Sequence, residues 1–141
     1  MTPPQPRNWI GVASRDHVLT GVEGGFAMLS HGKLGPLTQI SPGDWLVCYS
    51  PRTSHPAGPA LKAFTAIGRV RDGHPYQAAM APGATGFRRD MDWLVATETP
   101  IAPLTERLEF TRSSWGLLAR RGLFEITAAD LQTIRAAMAG E

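Results

Sequence analysis

The alternation of hydrophobic and polar positions along the chain predicts a series of short β-strands. A period of two places successive side chains on opposite faces of a strand. Five segments follow this pattern, at residues 8–14, 26–32, 44–50, 61–73 and 90–99. The Pro- and Gly-rich residues 51–60 and the stretch 74–89 are predicted to be mostly loop, since proline cannot donate to a strand ladder.

The same alternation assigns side chains to faces. In segment 44–50, Trp45, Val47 and Tyr49 lie on one face, and Leu46 and Cys48 lie on the other. Segment 61–73 is predicted to place Phe64, Ala66, Gly68 and Val70 on one side and Thr65, Ile67, Arg69 and Arg71 on the other. Cys48 is therefore expected to be buried on a central apolar strand.

Helical periodicity is confined to shorter segments and to the C-terminus. Residues 15–25 support one or two helical turns that end at Gly24-Gly25, and residues 33–40 support a short turn or helix. The clearest helix begins after Thr127, its predicted N-cap, with Asp130 three residues later. Its apolar stripe consists of Leu131, Ile134 and Met138.

Five strands separated by short helices and loops predict an α+β fold. Either a small, partly open β-barrel flanked by short helices or a strongly bent mixed sheet is consistent with this pattern. A chain of 141 residues forms one domain, since two cores would each bury too little surface. We expect a flexible Pro-rich tail at residues 1–7 and a single domain at residues 8–141.

The composition is typical of a compact domain in a reducing compartment. Hydrophobic residues make up 43% of the chain and charged residues 18%, which argues against a disordered chain. No apolar run has the length of a membrane span, and the N-terminus lacks the apolar region of a secretory signal. The single Cys48 cannot form an internal disulfide. A cytoplasmic protein without a membrane partner is expected, of unassigned oligomeric state.

Arginine dominates the basic residues, supplying 12 of the 14. A coding bias toward arginine explains this, and the Ala and Gly content points the same way. A functional explanation is that the planar guanidinium binds phosphate and stacks on bases. The sequence pI of about 9.1 permits a nucleic-acid partner without requiring one.

The sequence carries no motif for metal binding, cofactor binding or catalysis. It has no CxxC pair, no HExxH and no glycine spacing of a phosphate-binding or dinucleotide-binding turn. A Ser-His-acid set can be assembled from Ser14 or Ser50 with His31 and Asp44, but no G-x-S-x-G elbow supports it. A protein that is not an enzyme and that holds no metal or cofactor is therefore predicted.

Aromatic residues near strand ends are the candidates for ligand binding. Tyr49 and Tyr76 are favoured, because a hydroxyl near a loop needs a polar partner. His31, at a strand end, is either a pocket residue or a solvated turn residue. Packing in the core is favoured over a pocket role for Trp9, Trp45 and Trp93.

Two adjacent arginines, Arg88 and Arg89, point to opposite faces if they lie on a strand. In one interpretation, one of them pairs with Asp90 or Asp92 as surface charge, which stabilises little. In the other, one of them reaches a phosphate or a carbonyl at the mouth of a pocket.

The order of motifs resembles that of one family. The sequences NWIGVASRDHVLTGVEGGFAMLSHGKLGPLTQISPGDWLVCYSPR, FTAIGRV, GFRRDMDWL and SWGLLARRGLFEI are similar to those of EVE-domain proteins of the PUA-like superfamily, in particular the short stand-alone bacterial members. The resemblance extends from about Asn8 to Met138. It implies a pseudo-barrel of five or six strands and kinship with YTH and ASCH domains, which bind RNA or modified nucleotides.

EVE domains are thought to hold a modified base, such as methylated cytosine, in an aromatic-lined pocket. Carried over by motif, the pocket lies between three chain segments. Its residues are Ser14, the loop residues His31, Gly32 and Lys33, and the strand-end residues Tyr49, Ser50, Pro51 and Arg52. Larger relatives carry a Trp just before the glycine loop, where this chain has Leu29-Ser30-His31.

The sequence thus predicts a reader of nucleic acid, DNA or RNA, that binds a modified base without reacting with it. Lys33, Arg52 and Arg88 are predicted to bind phosphate, and Gly32 to let the ligand approach the backbone closely. A sensor of a free nucleoside or another planar molecule is the first alternative, and salt dependence distinguishes it. The second alternative is an enzyme with His31 as its base, which turnover lost in His31→Ala would favour.

Overall fold

The computed structural model describes residues 5–112 and 114–140. Within them, the chain forms four α-helices and eight strands. The strands are β1 (Asn8–Val12), β2 (Phe26–Ala27), β3 (Trp45–Arg52), β4 (Ala60–Val70), β5 (Tyr76–Ala81), β6 (Ala84–Trp93), β7 (Thr99–Pro100) and β8 (Leu123–Ile126). The helices are α1 (Arg15–Gly24), α2 (Leu34–Gln39), α3 (Trp115–Arg120) and α4 (Ala128–Met138). Short 3₁₀ turns occupy Ala102–Leu104 and Phe110–Arg112, and a turn with left-handed backbone occupies Ser30–Gly32.

The strands form one open, mixed sheet, which confirms the α+β class. The hydrogen-bonded order is β2-β6-β4-β3-β1-β8, with β5 added to β6 and β7 added to β4. Strands β1 and β3 are parallel, and the other pairs are antiparallel. The described residues contain eight strands rather than five or six, two of them only two residues long.

The largest departure from the predicted elements is a hairpin formed by β5 and β6. Residues 74–89 were predicted to be mostly loop, but Ala81 pairs with Ala84 across a two-residue turn at Pro82-Gly83. Gly83 has a φ of 77°, so proline followed by a left-handed glycine makes a tight turn. The predicted strand at 90–99 is also shifted, because β6 ends at Trp93.

The face assignment along β3 is confirmed. Val47 and Tyr49 belong to one buried cluster with Ile10 and Ile134, and Leu46 belongs to a second cluster on the opposite face. The assignment along β4 is wrong at Phe64, which lies on the same face as Ile67 and not on the face of Ala66 and Val70.

A change of register in β4 explains that error. Cys48 pairs with Ala66 while Tyr49 pairs with Phe64, which leaves Thr65 as an extra residue in β4. This bulge reverses the alternation, so Phe64 and Ile67 pack in the same cluster.

Helix α4 begins as predicted. Thr127 Oγ1 accepts a hydrogen bond from the Asp130 amide at 3.1 Å, and the predicted stripe of Leu131, Ile134 and Met138 is buried. The buried Asp130 carboxylate does not complete a capping box. It accepts instead from the backbone amides of Glu109 and Phe110 at 2.8 and 3.1 Å, and so ties a distant loop to the helix.

The N-terminal segment is attached to the sheet at Arg7. Its backbone amide donates to Asp44 Oδ1 at 2.9 Å, and its Nη2 lies 2.6 Å from Glu125 Oε1. Residues 1–4 of the predicted tail lie outside the described residues. In the part of the chain that is described, no helix is long and apolar enough to cross a bilayer.

Cys48 is expected to resist thiol reagents in the folded protein. Its side chain is buried in β3, and burial raises the pKa of its thiol to about 12, so the reactive thiolate does not form near neutral pH. Labelling with a maleimide should be slow in native buffer and fast in urea. Equal rates in both solvents would contradict the placement of β3.

Candidate functional site

A cavity of about 480 Å³ lies where the end of β1 meets five other parts of the fold. The start of α1 and residues 26–33 form one side. The end of β3 with the loop after it, the β5–β6 hairpin and the end of α3 form the rest. Its described lining is Val12, Ala13, Ser14, His17, Thr20, Phe26, Met28, Ser30, His31, Lys33, Pro51, Arg52, Ser54, His55, Ala79, Met80, Arg88, Ala119, Arg120 and Gly122. We call this the basic cavity.

The lining combines apolar walls with basic side chains. Phe26, Met28 and Met80 are the largest apolar side chains among the described lining residues. Four Lys or Arg side chains and three histidines accompany them, and no Asp or Glu is among the described lining residues. The basic side chains are His17, His31, Lys33, Arg52, His55, Arg88 and Arg120. An apolar interior with a basic surround suits a ligand that is planar in one part and anionic in another.

One wall of the basic cavity is a left-handed turn. Ser30, His31 and Gly32 have successive φ values of 48°, 60° and 85°. Two successive non-glycine residues with left-handed φ values cost conformational free energy, and backbone strain of this kind concentrates at binding sites. The segment was predicted to continue a strand, but the turn ends the extended backbone after β2.

Gly32 meets protein rather than open space. A Cβ on Gly32 would lie 3.0 Å from Met80 Sδ and 3.1 Å from Gly86 Cα. The predicted role of Gly32, close approach of a ligand to the backbone, is therefore corrected: its missing side chain lets the turn pack against the β5–β6 hairpin.

The turn places His31 against the loop that follows β3. The rings of His31 and His55 have centroids 4.7 Å apart. Arg52, the last residue of β3, donates from its Nη1 to the Gly58 carbonyl of that loop at 2.9 Å. His31, Lys33, Pro51 and Arg52 thus lie together at the basic cavity, as the predicted pocket requires.

Ser14 also lines the basic cavity, at the junction of β1 and α1. Its Oγ donates to Asp16 Oδ1 at 2.6 Å, and the His17 amide donates to the same oxygen at 2.9 Å. The hydrogen bond from Ser14 lowers the pKa of Asp16, which keeps that carboxylate charged. The Ser14 hydroxyl is therefore held by a neighbouring carboxylate rather than by a histidine.

The two adjacent arginines point to opposite sides of β6, as predicted. Arg88 lines the basic cavity, with its Cζ 4.0 Å from the centroid of the Phe26 ring and its Nη2 donating to the Ala79 carbonyl at 3.0 Å. Arg89 is buried on the other side.

Arg89 has a structural role. Its guanidinium donates to the carbonyls of Ile40 and Gly73 at 3.1 and 2.9 Å, and burial lowers its pKa. The first bond satisfies a carbonyl at the end of α2, and the second satisfies a carbonyl in the loop between β4 and β5. Asp90 and Asp92 contact Tyr76 and Arg71 instead of either arginine.

Tyr49 and Ser50 do not reach the basic cavity, and their predicted place in the pocket wall is corrected. Tyr49 is 4% exposed and packs edge-on against Phe64 and Trp115. Burial also raises the pKa of its hydroxyl. Ser50 is fully buried, and its Oγ lies 2.8 Å from Thr65 Oγ1. The alternation along β3 sends Tyr49 into the core.

The three tryptophans pack in or against the core clusters, as the sequence favoured, whereas the pocket candidate Tyr76 lies away from the basic cavity. Trp9 is buried with its Nε1 donating to Asp44 Oδ2 at 2.9 Å, and Trp93 Nε1 donates to the Phe26 carbonyl at 3.2 Å. Trp45 contacts the guanidinium groups of Arg69 and Arg135. Tyr76 is exposed on β5, and its hydroxyl donates to Asp90 Oδ1 at 2.6 Å. None of the four is among the described lining residues.

Several lining residues were not predicted. Phe26, Met28 and Met80 lie in strand or loop segments whose sequence gives no signal of a binding role. Arg120 lies on a helix far along the chain. His17 carried the best available signal, because it follows Ser14 by three residues and a helix places such residues near each other. The omitted residues with basic or large apolar side chains are His17, Phe26, Met28, His55, Met80 and Arg120.

No metal centre is formed by the residues that the structure describes. None of their His, Cys, Asp and Glu side chains come together in groups of three or more that could hold an ion.

Comparison with known proteins assigns the family. A model of the EVE domain matches residues 7–137. The chain belongs to the EVE-domain family. This EVE domain is 52% identical to the "UPF0310 protein msl3206" of Mesorhizobium japonicum over 134 residues, which covers 92% of this chain and 90% of the relative. It is 50% identical to a "UPF0310 protein" of Mycolicibacterium vanbaalenii, with coverage of 93% and 92%.

Solved structures support the fold of this EVE domain. A hypothetical protein from Leishmania major superposes with a TM-score of 0.63 at 12% sequence identity, covering 94% of each chain. The solution structure of Rpa0253 from Rhodopseudomonas palustris superposes with a TM-score of 0.55 at 14% identity, covering 95% of this chain and 93% of that one. At these identities the likeness concerns the fold alone.

Proposed function

We propose that this EVE domain is a nucleic-acid-binding module whose basic cavity holds a modified base. The observation that carries the proposal is the composition of the cavity lining: Phe26, Met28 and Met80 form apolar walls, and seven basic side chains surround them. A base needs the first kind of surface, and the phosphates beside it need the second. Membership of a PUA-like family supports the same class of ligand.

The size of the cavity suits one base. Its volume of about 480 Å³ lies within the range of about 300–1,000 Å³ of small-ligand pockets. Extruding a base costs a few kcal/mol, and stacking returns about 1–3 kcal/mol per base. A methyl group packed against the thioethers of Met28 and Met80 adds about 0.8 kcal/mol, which gives a preference for the methylated base.

Phosphates are assigned to the exposed basic residues. Lys33 and Arg52 lie at the cavity with their side chains in solvent, where a strand can reach them. Arg88 differs, because it is half-buried and its guanidinium lies over the Phe26 ring as well as donating to the Ala79 carbonyl. We therefore assign Lys33 and Arg52 to phosphate and Arg88 to the base.

The proposed role is recognition without catalysis. The Ser14 hydroxyl donates to Asp16, so no histidine takes its proton. The ring of His31 contacts His55, whereas a catalytic base is normally oriented by a carboxylate. Both arrangements favour hydrogen bonding to a ligand over activation of a nucleophile.

Removing a phosphate contact should reduce the salt dependence of binding. For Lys33→Gln and Arg52→Gln, the slope of log K against log salt should fall by about one unit each, with similar losses for all oligonucleotides. Binding of methylated and unmodified strands, titrated by fluorescence anisotropy at several salt concentrations, measures the slope. Arg107→Gln, at an exposed position outside the described lining, is the matched control.

Two results would contradict the proposal. An unchanged slope in both variants would remove the phosphate assignment. A free nucleoside that binds tightly without salt dependence, while strands do not bind, would identify the cavity as a small-molecule sensor instead.

A further inference from the structure

The flat surface of the basic cavity is a guanidinium group rather than an open aromatic ring. Phe26 lines the cavity, yet the ring is only 7% exposed. The Arg88 guanidinium lies over this ring, with 4.0 Å between its Cζ and the ring centroid. The ring face that could stack on a ligand is therefore covered by a permanent cation.

Strand pairing fixes this arrangement. β2 pairs with β6 so that Phe26 lies opposite Asp90 and Ala27 lies opposite Arg89. Arg88 precedes Asp90 by two residues, which makes it the diagonal neighbour of Phe26 on the same face of the sheet. The bond from Arg88 Nη2 to the Ala79 carbonyl at 3.0 Å holds the head group from the β5 side.

The surrounding charges have the same sign. Lys33, Arg52 and Arg120 join Arg88 in the described lining, and no carboxylate does. Asp16 contacts the lining residues Ser14 and His17, and its Oδ1 accepts from Ser14 Oγ at 2.6 Å and from the His17 amide at 2.9 Å. That carboxylate oxygen is already bonded by the protein.

We propose that the basic cavity accepts uncharged modified bases and rejects bases that methylation has made cationic. This inference rests on the proposed function and names the charge class of its ligand. An aromatic cage attracts methylated cations through the negative face of its rings. Here the Arg88 guanidinium covers the face of the Phe26 ring. A cationic base would therefore be repelled by Arg88 instead of being attracted by an aromatic ring. An uncharged base can stack on the guanidinium plane.

Two isomeric bases provide the test. Oligonucleotides that differ only in one residue, 5-methylcytosine or 3-methylcytosine, carry the same heavy atoms, but the second base binds an extra proton near neutral pH and is therefore cationic. The full-length protein should bind the 5-methylcytosine strand at least about tenfold more tightly, which corresponds to about 1.4 kcal/mol. Free 5-methylcytidine and 3-methylcytidine, titrated by NMR, should rank in the same order.

Variants separate the charge from the position of the methyl group. Arg88→Lys keeps the charge and should keep the discrimination. Arg88→Met removes the charge at similar length and should reduce the ratio of the two dissociation constants several-fold. Arg120→Gln removes an exposed charge of the lining and should also reduce the ratio, by less than Arg88→Met. It provides a second test if the Arg88→Met protein does not fold. Arg107→Gln should leave the ratio unchanged.

The outcomes distinguish the inference from the function on which it rests. Equal or tighter binding of the 3-methylcytosine strand would overturn the inference alone. So would an unchanged ratio in a folded Arg88→Met protein or, if that variant does not fold, an unchanged ratio in Arg120→Gln. Failure to bind either base, as a strand or as a free nucleoside, would overturn the proposed function and this inference together.

Discussion

Tyr49→Ala is expected to lower the free energy of unfolding by about 3–5 kcal/mol, the usual loss for a buried aromatic residue. Tyr49 is 4% exposed and makes edge contacts with Phe64 and Trp115 at centroid distances of 5.8 and 5.3 Å. Truncation therefore leaves a void between two aromatic rings. Urea denaturation followed by circular dichroism measures the loss. Affinity for oligonucleotides should be retained in the fraction that remains folded.

Tyr76→Ala is the matched control. Tyr76 is 41% exposed, and its hydroxyl donates to Asp90. The loss of stability should be no more than about 1 kcal/mol, which is typical of one hydrogen bond at the surface. A Tyr49→Ala protein of normal stability that no longer binds oligonucleotides would instead place Tyr49 at the ligand.

The sequence was sufficient to predict elements in which local pattern and tertiary packing agree. Strand β3 alternates without interruption, so the faces of Val47 and Leu46 followed from the period of two. Helix α4 has a capping residue and a regular stripe. The faces of β4 were predicted wrongly because the extra residue at Thr65 reverses the alternation. A Thr flanked by Phe64 and Ala66 gives no sequence signal for a bulge.

The candidate site was only partly predictable for a different reason. Ser14, His31, Lys33, Pro51, Arg52 and Arg88 come from the motifs that carry the family resemblance, and all line the basic cavity. The pairing of β2 with β6, which brings Phe26 to Arg88, joins residues far apart in sequence.

The left-handed turn was equally hidden. Ser30 and His31 adopt positive φ values that their residue types seldom adopt. A family resemblance can identify the loops that form a site, but the pairing of strands determines which side chains face the ligand.

Leu131→Ala is expected to destabilise the protein by about 2–5 kcal/mol, the range for buried leucine. Leu131 is 4% exposed in the first turns of α4 and packs in the same cluster as Ile134 and Met138. The same cluster contains residues of β1, β3, β4 and β8, so a cavity there loosens the helix from most of the sheet. The shift of the urea midpoint at constant slope measures the change.

Leu117→Ala is the matched control for Leu131→Ala, because both leucines lie on helices and both substitutions remove the same atoms. Leu117 is 59% exposed on α3, and its truncation should change the stability by less than about 0.5 kcal/mol. Similar small effects of both substitutions would show that α4 is peripheral to the core. A large effect of Leu131→Ala with unchanged oligonucleotide affinity would separate the structural role of α4 from the binding role of the basic cavity.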